Sequence, residues 1–230
     1  MGEHIRINTE GTQCIGAYVA RAQAPVRGGV VVVQEIFGVN AWVRSAVDRF
    51  AAKGFTAIAP AFFDHVETGV ELDYEESSYA RGKSLIGEVG MDRAVADVAS
   101  AAEAIASSGR IGVVGYCWGG TIALLSAIRL CLPAVSYYGA RNVQFLEQPI
   151  AAPVQFHFGA QDTSIPAAAV QRHRDSYADA IAEGRVEIFS YADAGHAFDR
   201  DLDPSHYAPA ASHLARERTL AFFERHLAGN

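Results

Sequence analysis

The chain has 230 residues, half of them hydrophobic and a fifth charged, with a formal net charge of -7. That is ample material for the core of one medium domain, and it excludes intrinsic disorder. Lys and Arg form no block, so nucleic acid is excluded as the main partner, since neutralising phosphates needs a basic face; a small anion held by one or two buried arginines is not.

The N-terminal "MGEHIRINTEG" lacks an apolar leader core, and Arg6 stands where a myristoylation signal wants Ser or Thr. No apolar run approaches the ~20 residues of a membrane span. A soluble, cytoplasmic protein with no membrane partner is predicted. "CIGAYVARA" (14–22) alternates loosely as an early strand, and "GVVVVQEIFG" (29–38) is a β-branched run suited to a strand covered on both faces. A helix follows, with Asn40 as N-cap, Val43, Ala46, Val47 and Phe50 on one face, and Gly54 as its stop. "FTAIAP" (55–60) is the next strand. Residues 61–90 are acidic and weakly periodic, and read as a lid-like excursion over one end of the sheet. Met91, Ala94, Val95, Val98, Ala102 and Ile105 mark a helix that closes near Gly109.

Beyond it come strand 111–115, helix 118–130, strands 134–138 and 153–158, a helix near 167–182, strand 185–191 and a helix near 209–227. This βαβα alternation predicts one α/β domain over residues 1–230, a mainly parallel central sheet with helices on both faces and no large separate cap.

In such sheets ligands bind beyond the carboxyl ends of the strands, which singles out Gln34-Glu35, Cys117, Asp162 and His196. Cys117 stands in G-x-C-x-G, from Gly115 to Gly119, with Gly120 adding room. A nucleophile elbow needs small neighbours where strand and helix approach, and it presents its side chain at a helix N-terminus that favours thiolate and oxyanion alike. Cys14 and Cys131 lack these flanks and are read as core-packing residues. The three cysteines form no CxxC or metal-type spacing, as expected of reduced thiols with no metal. Asp162 follows a strand in a polar loop, and His196 follows Gly195 in another. Of the remaining histidines, His4, His206, His213 and His226 read as tail or surface residues, and His65 lies in the excursion. His157 is read as packed in a strand and His173 as lying on a helix face. Nucleophile, acid and base in that order is the α/β-hydrolase order.

The segments "QEIFGVN" (34–40), "GYCWGG" (115–120), "YYG" (137–139), "HFGAQD" (157–162) and "AGHAF", ending at Phe198, together resemble the dienelactone hydrolases, or carboxymethylenebutenolidases. The resemblance implies a cofactor-free triad of Cys117, His196 and Asp162 that opens a small carboxylate-bearing lactone or enol ester, such as dienelactone, through an acyl-thioester in aromatic degradation. It implies that Glu35 takes up the thiol proton as substrate binds, and that the backbone N–H groups of Ile36 and Trp118 form the oxyanion hole. It assigns substrate binding to Arg200, with Arg81 as the nearest second arginine, and to Tyr138, Phe37 and Phe198. Two departures bear on the substrate: Trp118, where leucine is usual, narrows the acyl pocket, and Ala61 stands where a polar residue is expected. The expected partner is a small anionic ester or lactone, and the chain is read as a monomer or small homo-oligomer. Alternatives are the same fold acting on a different ester, thioester or lactone, a thiol redox sensor at Cys117, or a silent binding module.

Overall fold

Val30 to Val33 have no solvent exposure at all, as a strand covered on both faces requires. In the computed structural model, which describes residues 2–9, 13–23 and 25–227, they form β3 (Gly29–Val33). Its neighbours in chain order are β1 (Glu3–Asn8), β2 (Cys14–Ala20), β4 (Thr56–Pro60), β5 (Ile111–Tyr116), β6 (Ala134–Tyr137), β7 (Val154–Gly159) and β8 (Val186–Tyr191). They hydrogen-bond in the order β1-β2-β4-β3-β5-β6-β7-β8, a mostly parallel sheet with helices around it. The antiparallel pairs β1·β2 and β2·β4 lie at one edge. The chain divides between Val113 and Val114, within β5, into two compact units, Leu227 belonging with the first.

In the first unit, α1 (Ala41–Ala52) begins at Asn40, whose side chain accepts from the Val43 N–H at 3.2 Å, and buries Trp42, Val43, Ala46, Val47 and Phe50. The excursion is more regular than its sequence suggests. A 3-10 turn, Phe62–His65, leads to α2 (Glu76–Val89), and α3 (Met91–Ala104) follows. Polar ties fasten this stretch. The Asp64 carboxylate accepts from the N–H groups of Gly16 at 2.7 Å and Gly69 at 3.0 Å, and His65 pairs with the buried Asp97 of α3 at 2.8 Å. Leu72 N–H bonds the Phe37 carbonyl at 2.9 Å. β1 is the other element absent from the sequence reading; it is a largely exposed edge strand with little apolar pattern to betray it.

In the second unit, α4 (Trp118–Arg129) follows β5, α7 (Pro209–Leu227) runs to its C-terminal end, and the predicted helix 167–182 breaks at Tyr177 into α5 (Ala167–Ser176) and α6 (Ala178–Ala182). His157 and His173 are both fully buried. Burial, then the charge of Arg218, hold the His157 imidazole down to about 3, so it is a neutral core group bonded to Tyr191 and Gln155. The core reading fails for Cys131, which is exposed in the turn closing α4 with φ +55°, and Cys14 is only half-buried beside Asn8. Among the described residues no helix is long and apolar enough to cross a membrane, and no cluster of three His, Cys, Asp or Glu could hold a metal ion.

Candidate active site

Cys117 has φ 55° and ψ -115°, a backbone conformation that costs a non-glycine residue about 1–3 kcal/mol. Its surroundings explain how the turn is held. A Cβ at Gly115 would lie 1.8 Å from the Gly119 carbonyl oxygen, and one at Gly120 would lie 2.5 Å from that of Tyr137. The Cys117 N–H donates to the Tyr137 carbonyl at 3.0 Å, and its own carbonyl accepts from Gly120 at 3.0 Å. The glycine spacing therefore lets α4 start directly from β5 with the thiol at its first turn, and Trp118 is buried there.

Asp162 follows β7. Its carboxylate is fully enclosed, and the Ser164 N–H donates to Oδ1 at 2.8 Å, aiming Oδ2 at the His196 Nδ1, 2.7 Å away. The other ring nitrogen, Nε2, lies 3.2 Å from the Cys117 Sγ. Thiol, imidazole and carboxylate thus form one continuous relay, through which a proton can pass from sulfur to a ring whose tautomer Asp162 fixes. Burial alone would push the His196 imidazolium down. The negative charge of Cys117, the hydrogen bonds from Asp162 and Cys117, and the charge of Asp162 outweigh it and lift His196 to about 10. The arrangement favours the protonated imidazole.

Gly159 is a site residue that sequence reasoning missed. A Cβ there would meet the carbonyls of Ala194 and Gly195 at 2.4 Å, so only glycine lets the loop bearing His196 close on the end of β7. Gln161 N–H to Ala194 O and Ala160 N–H to Tyr191 O, both 2.9 Å, lace the two loops together. A second omission is Arg216 of α7, whose Nε and Nη2 reach Asp199 Oδ1 at 2.7 Å and Asp201 Oδ2 at 3.1 Å. Ser212 Oγ also donates to Asp199, at 2.6 Å, so three residues past His196 the loop is bolted to the C-terminal helix.

Of the other predicted site residues, Tyr138 has φ 39° and packs its ring 5.1 Å from that of His196 and 5.4 Å from that of Phe198, both it and Phe198 being fully buried. Arg200 is 1% exposed, and its Nη1 bonds Asp203 Oδ2 at 2.8 Å. Glu35, Ile36, Phe37 and Arg81 belong to the first unit. Glu35 is 1% exposed, not a solvated surface charge, and Phe37 sits edge-on to Tyr74 and Tyr79, 5.0 Å from each. α2 packs against residue 36 so closely that a Cβ on Gly82 would lie 2.1 Å from the Ile36 carbonyl oxygen. Arg81 lies on the outer side of α2, exposed and paired with Glu67.

The model of the dienelactone hydrolase family matches residues 15–227. The chain belongs to that family. It is 33% identical to a carboxymethylenebutenolidase of Pseudomonas putida over 231 residues, covering 96% of this chain and 95% of that one. It is 31% identical to another from Pseudomonas sp. strain P51, with 97% and 95% covered. A crystal structure of a candidate dienelactone hydrolase from Klebsiella pneumoniae superimposes with a TM-score of 0.83 at 30% identity, covering 97% of this chain and 98% of that one. An esterase of Pyrococcus furiosus, 14% identical with a TM-score of 0.68, shares the α/β fold. The family member described here is accordingly an ester or lactone hydrolase.

Proposed function

We propose that Cys117 is the nucleophile of this hydrolase and that the reaction passes through an acyl-thioester. The observation that carries the reading is the relay itself: Sγ to Nε2 at 3.2 Å and Nδ1 to Oδ2 at 2.7 Å, beneath a strained elbow. The Cys117 thiolate attacks the carbonyl carbon of a small lactone or enol ester. The C–O bond then breaks, and His196 gives its proton to the leaving oxygen, which in a lactone stays attached to the acyl group. Acylation also converts the neighbouring negative charge into a neutral thioester. The charge that lifted His196 is thereby removed, its affinity for protons falls, and it becomes a base for the attacking water. Release of the acid regenerates the thiolate.

Two further assignments follow from the family likeness. The N–H groups of Ile36 and Trp118 stabilise the oxyanion, and the buried carboxylate of Glu35 is, by that likeness, a second acceptor for the thiol proton, alternative to His196. A thiolate leaves more readily than an amine, so unactivated peptides return to starting material and peptidase activity is slight. The setting is cytoplasmic.

Mass spectrometry of the enzyme quenched during turnover of 4-nitrophenyl acetate and of cis- and trans-dienelactone tests the proposal. Acyl adducts confined to the peptide bearing Cys117, and loss of both turnover and adduct in Cys117→Ala, are expected. Undiminished turnover by Cys117→Ala would refute it. A second reading, an ester other than an anionic lactone, is favoured by one feature: the Arg200 guanidinium is already occupied by Asp203.

A further inference from the structure

The loop after His196 carries three carboxylates, Asp199, Asp201 and Asp203, against one arginine of its own, Arg200. Arg216 comes in from α7 and engages Asp199 and Asp201. Arg200 pairs with Asp203, three residues on, and the side chains are 2% and 9% exposed. The backbone closes the same turn, Asp203 N–H donating to the Arg200 carbonyl at 3.1 Å. Asp203 is itself held from several sides. Oδ1 accepts from the Ser205 hydroxyl at 2.5 Å and the Ser205 N–H at 3.2 Å, and Oδ2 lies 2.7 Å from the His206 Nδ1 as well as 2.8 Å from Arg200. Burial acts to raise this carboxyl, but the hydrogen bonds from Ser205, Arg200 and His206 hold it at about 2. It is therefore a permanent anion at working pH.

We infer that Asp203 is a built-in counter-carboxylate that occupies Arg200 and sets the enzyme's preference for uncharged esters and lactones over carboxylate-bearing ones. A guanidinium binds a carboxylate through fixed, directed N–H groups, and Asp203, itself fixed by Ser205 and His206, already holds one of those of Arg200. An incoming substrate carboxylate must break that pair or bring a further negative charge beside it. The wider loop adds two further carboxylates, Asp199 and Asp201, both engaged by Arg216. Uncharged acyl groups meet neither obstacle. The inference rests on the proposed role of Cys117 and on Arg200 as the position where a substrate carboxylate would bind.

The test compares 4-nitrophenyl pentanoate with mono-(4-nitrophenyl) glutarate, which share acyl length and leaving group and differ in one carboxylate. The wild type is expected to favour the neutral ester in kcat/KM by about tenfold or more, and Asp203→Asn to shift that ratio about tenfold toward the anionic ester, mainly through its KM. A parallel binding measurement does not depend on turnover: by calorimetry, free glutarate binds Asp203→Asn in the millimolar range and the wild type about tenfold more weakly. A wild type that takes the anionic ester as well as the neutral one, or that binds glutarate as well as the variant does, overturns the inference. If Asp203→Asn does not fold, the wild-type ratio decides: a tenfold preference for the neutral ester supports charge selection, and parity overturns it. Turnover that survives Cys117→Ala would overturn the nucleophile assignment alone, since the two-ester ratio and the glutarate affinity are read separately.

Discussion

Two glycines on one helix allow packing and propensity to be separated. Gly82 and Gly87 both lie within α2, but a Cβ on Gly87 meets nothing within 4 Å, whereas one on Gly82 lands 2.1 Å from the Ile36 carbonyl oxygen. Carbon and oxygen in close contact sit about 3.3 Å apart, so Gly82→Ala must move the helix and residue 36 apart by about 1 Å. That contact is with backbone, which cannot swing aside as a side chain would. Overpacking of this kind costs about 1–3 kcal/mol, offset by the roughly 1 kcal/mol that alanine gains over glycine within a helix. Net stability should therefore fall by about 0–2 kcal/mol. The catalytic effect should be larger, since residue 36 is the proposed oxyanion donor and a misplacement of about 1 Å can cost about 100-fold. Gly87→Ala keeps the propensity gain alone and should raise Tm by about 1–4 °C with unchanged turnover. The assay is kcat and KM on a 4-nitrophenyl ester, with active sites counted by thiol alkylation, beside calorimetric Tm values. Gly82→Ala with near-wild-type kcat and a raised Tm would refute both the packing argument and the assignment of residue 36.

Asp162→Asn keeps the shape beside His196 but removes the charge and allows the wrong tautomer, so kcat/KM should fall by about 100- to 10,000-fold; a loss under fivefold on the same ester would show that the carboxylate does not orient the ring. His196 should stay protonated as pH rises until it titrates near 10, whereas in Cys117→Ala, with the thiolate charge gone, it should titrate well below that. Imidazole NMR resonances followed against pH decide this, and matching titrations in the two proteins would contradict the thiolate–imidazolium pair. Arg216→Met leaves the fully buried Asp199 without its guanidinium, a change that typically costs about 3–5 kcal/mol in urea unfolding, and adding Asp199→Asn should restore part of it. Additive losses in the double variant would mean that the two side chains are not coupled.

What the sequence discloses depends on how far apart the interacting residues lie. The elbow is readable because Gly115, Cys117, Gly119 and Gly120 act on one another across a single turn, and the order Cys117, Asp162, His196 then narrows the partners to two loops. α1 is readable for the same reason: its cap bond, from Val43 to Asn40, spans three residues. α2 is not. Its N-cap Glu75 makes no side-chain cap bond, and its buried positions Gly82, Leu85, Ile86 and Val89 run only from its middle to its C-terminal end, so no periodic stripe marks its start. Gly159 is invisible for another reason, since its constraint is a loop backbone 35 residues downstream and not its own turn.

Arg200 shows where local reading ends in the active site. Its residue type and its spacing from His196 both suit a carboxylate-binding role, and three aspartates within three residues of it are all plausible partners by spacing alone. Arg216, sixteen positions away on α7, engages Asp199 and Asp201, while the i,i+3 turn brings Asp203 onto Arg200. The charge preference inferred for Arg200 thus turns on side chains from two distant segments. The chemistry at Cys117 depends on neighbours close in sequence, and for that reason two members of one family can share the relay and differ in the charge of the ester they open.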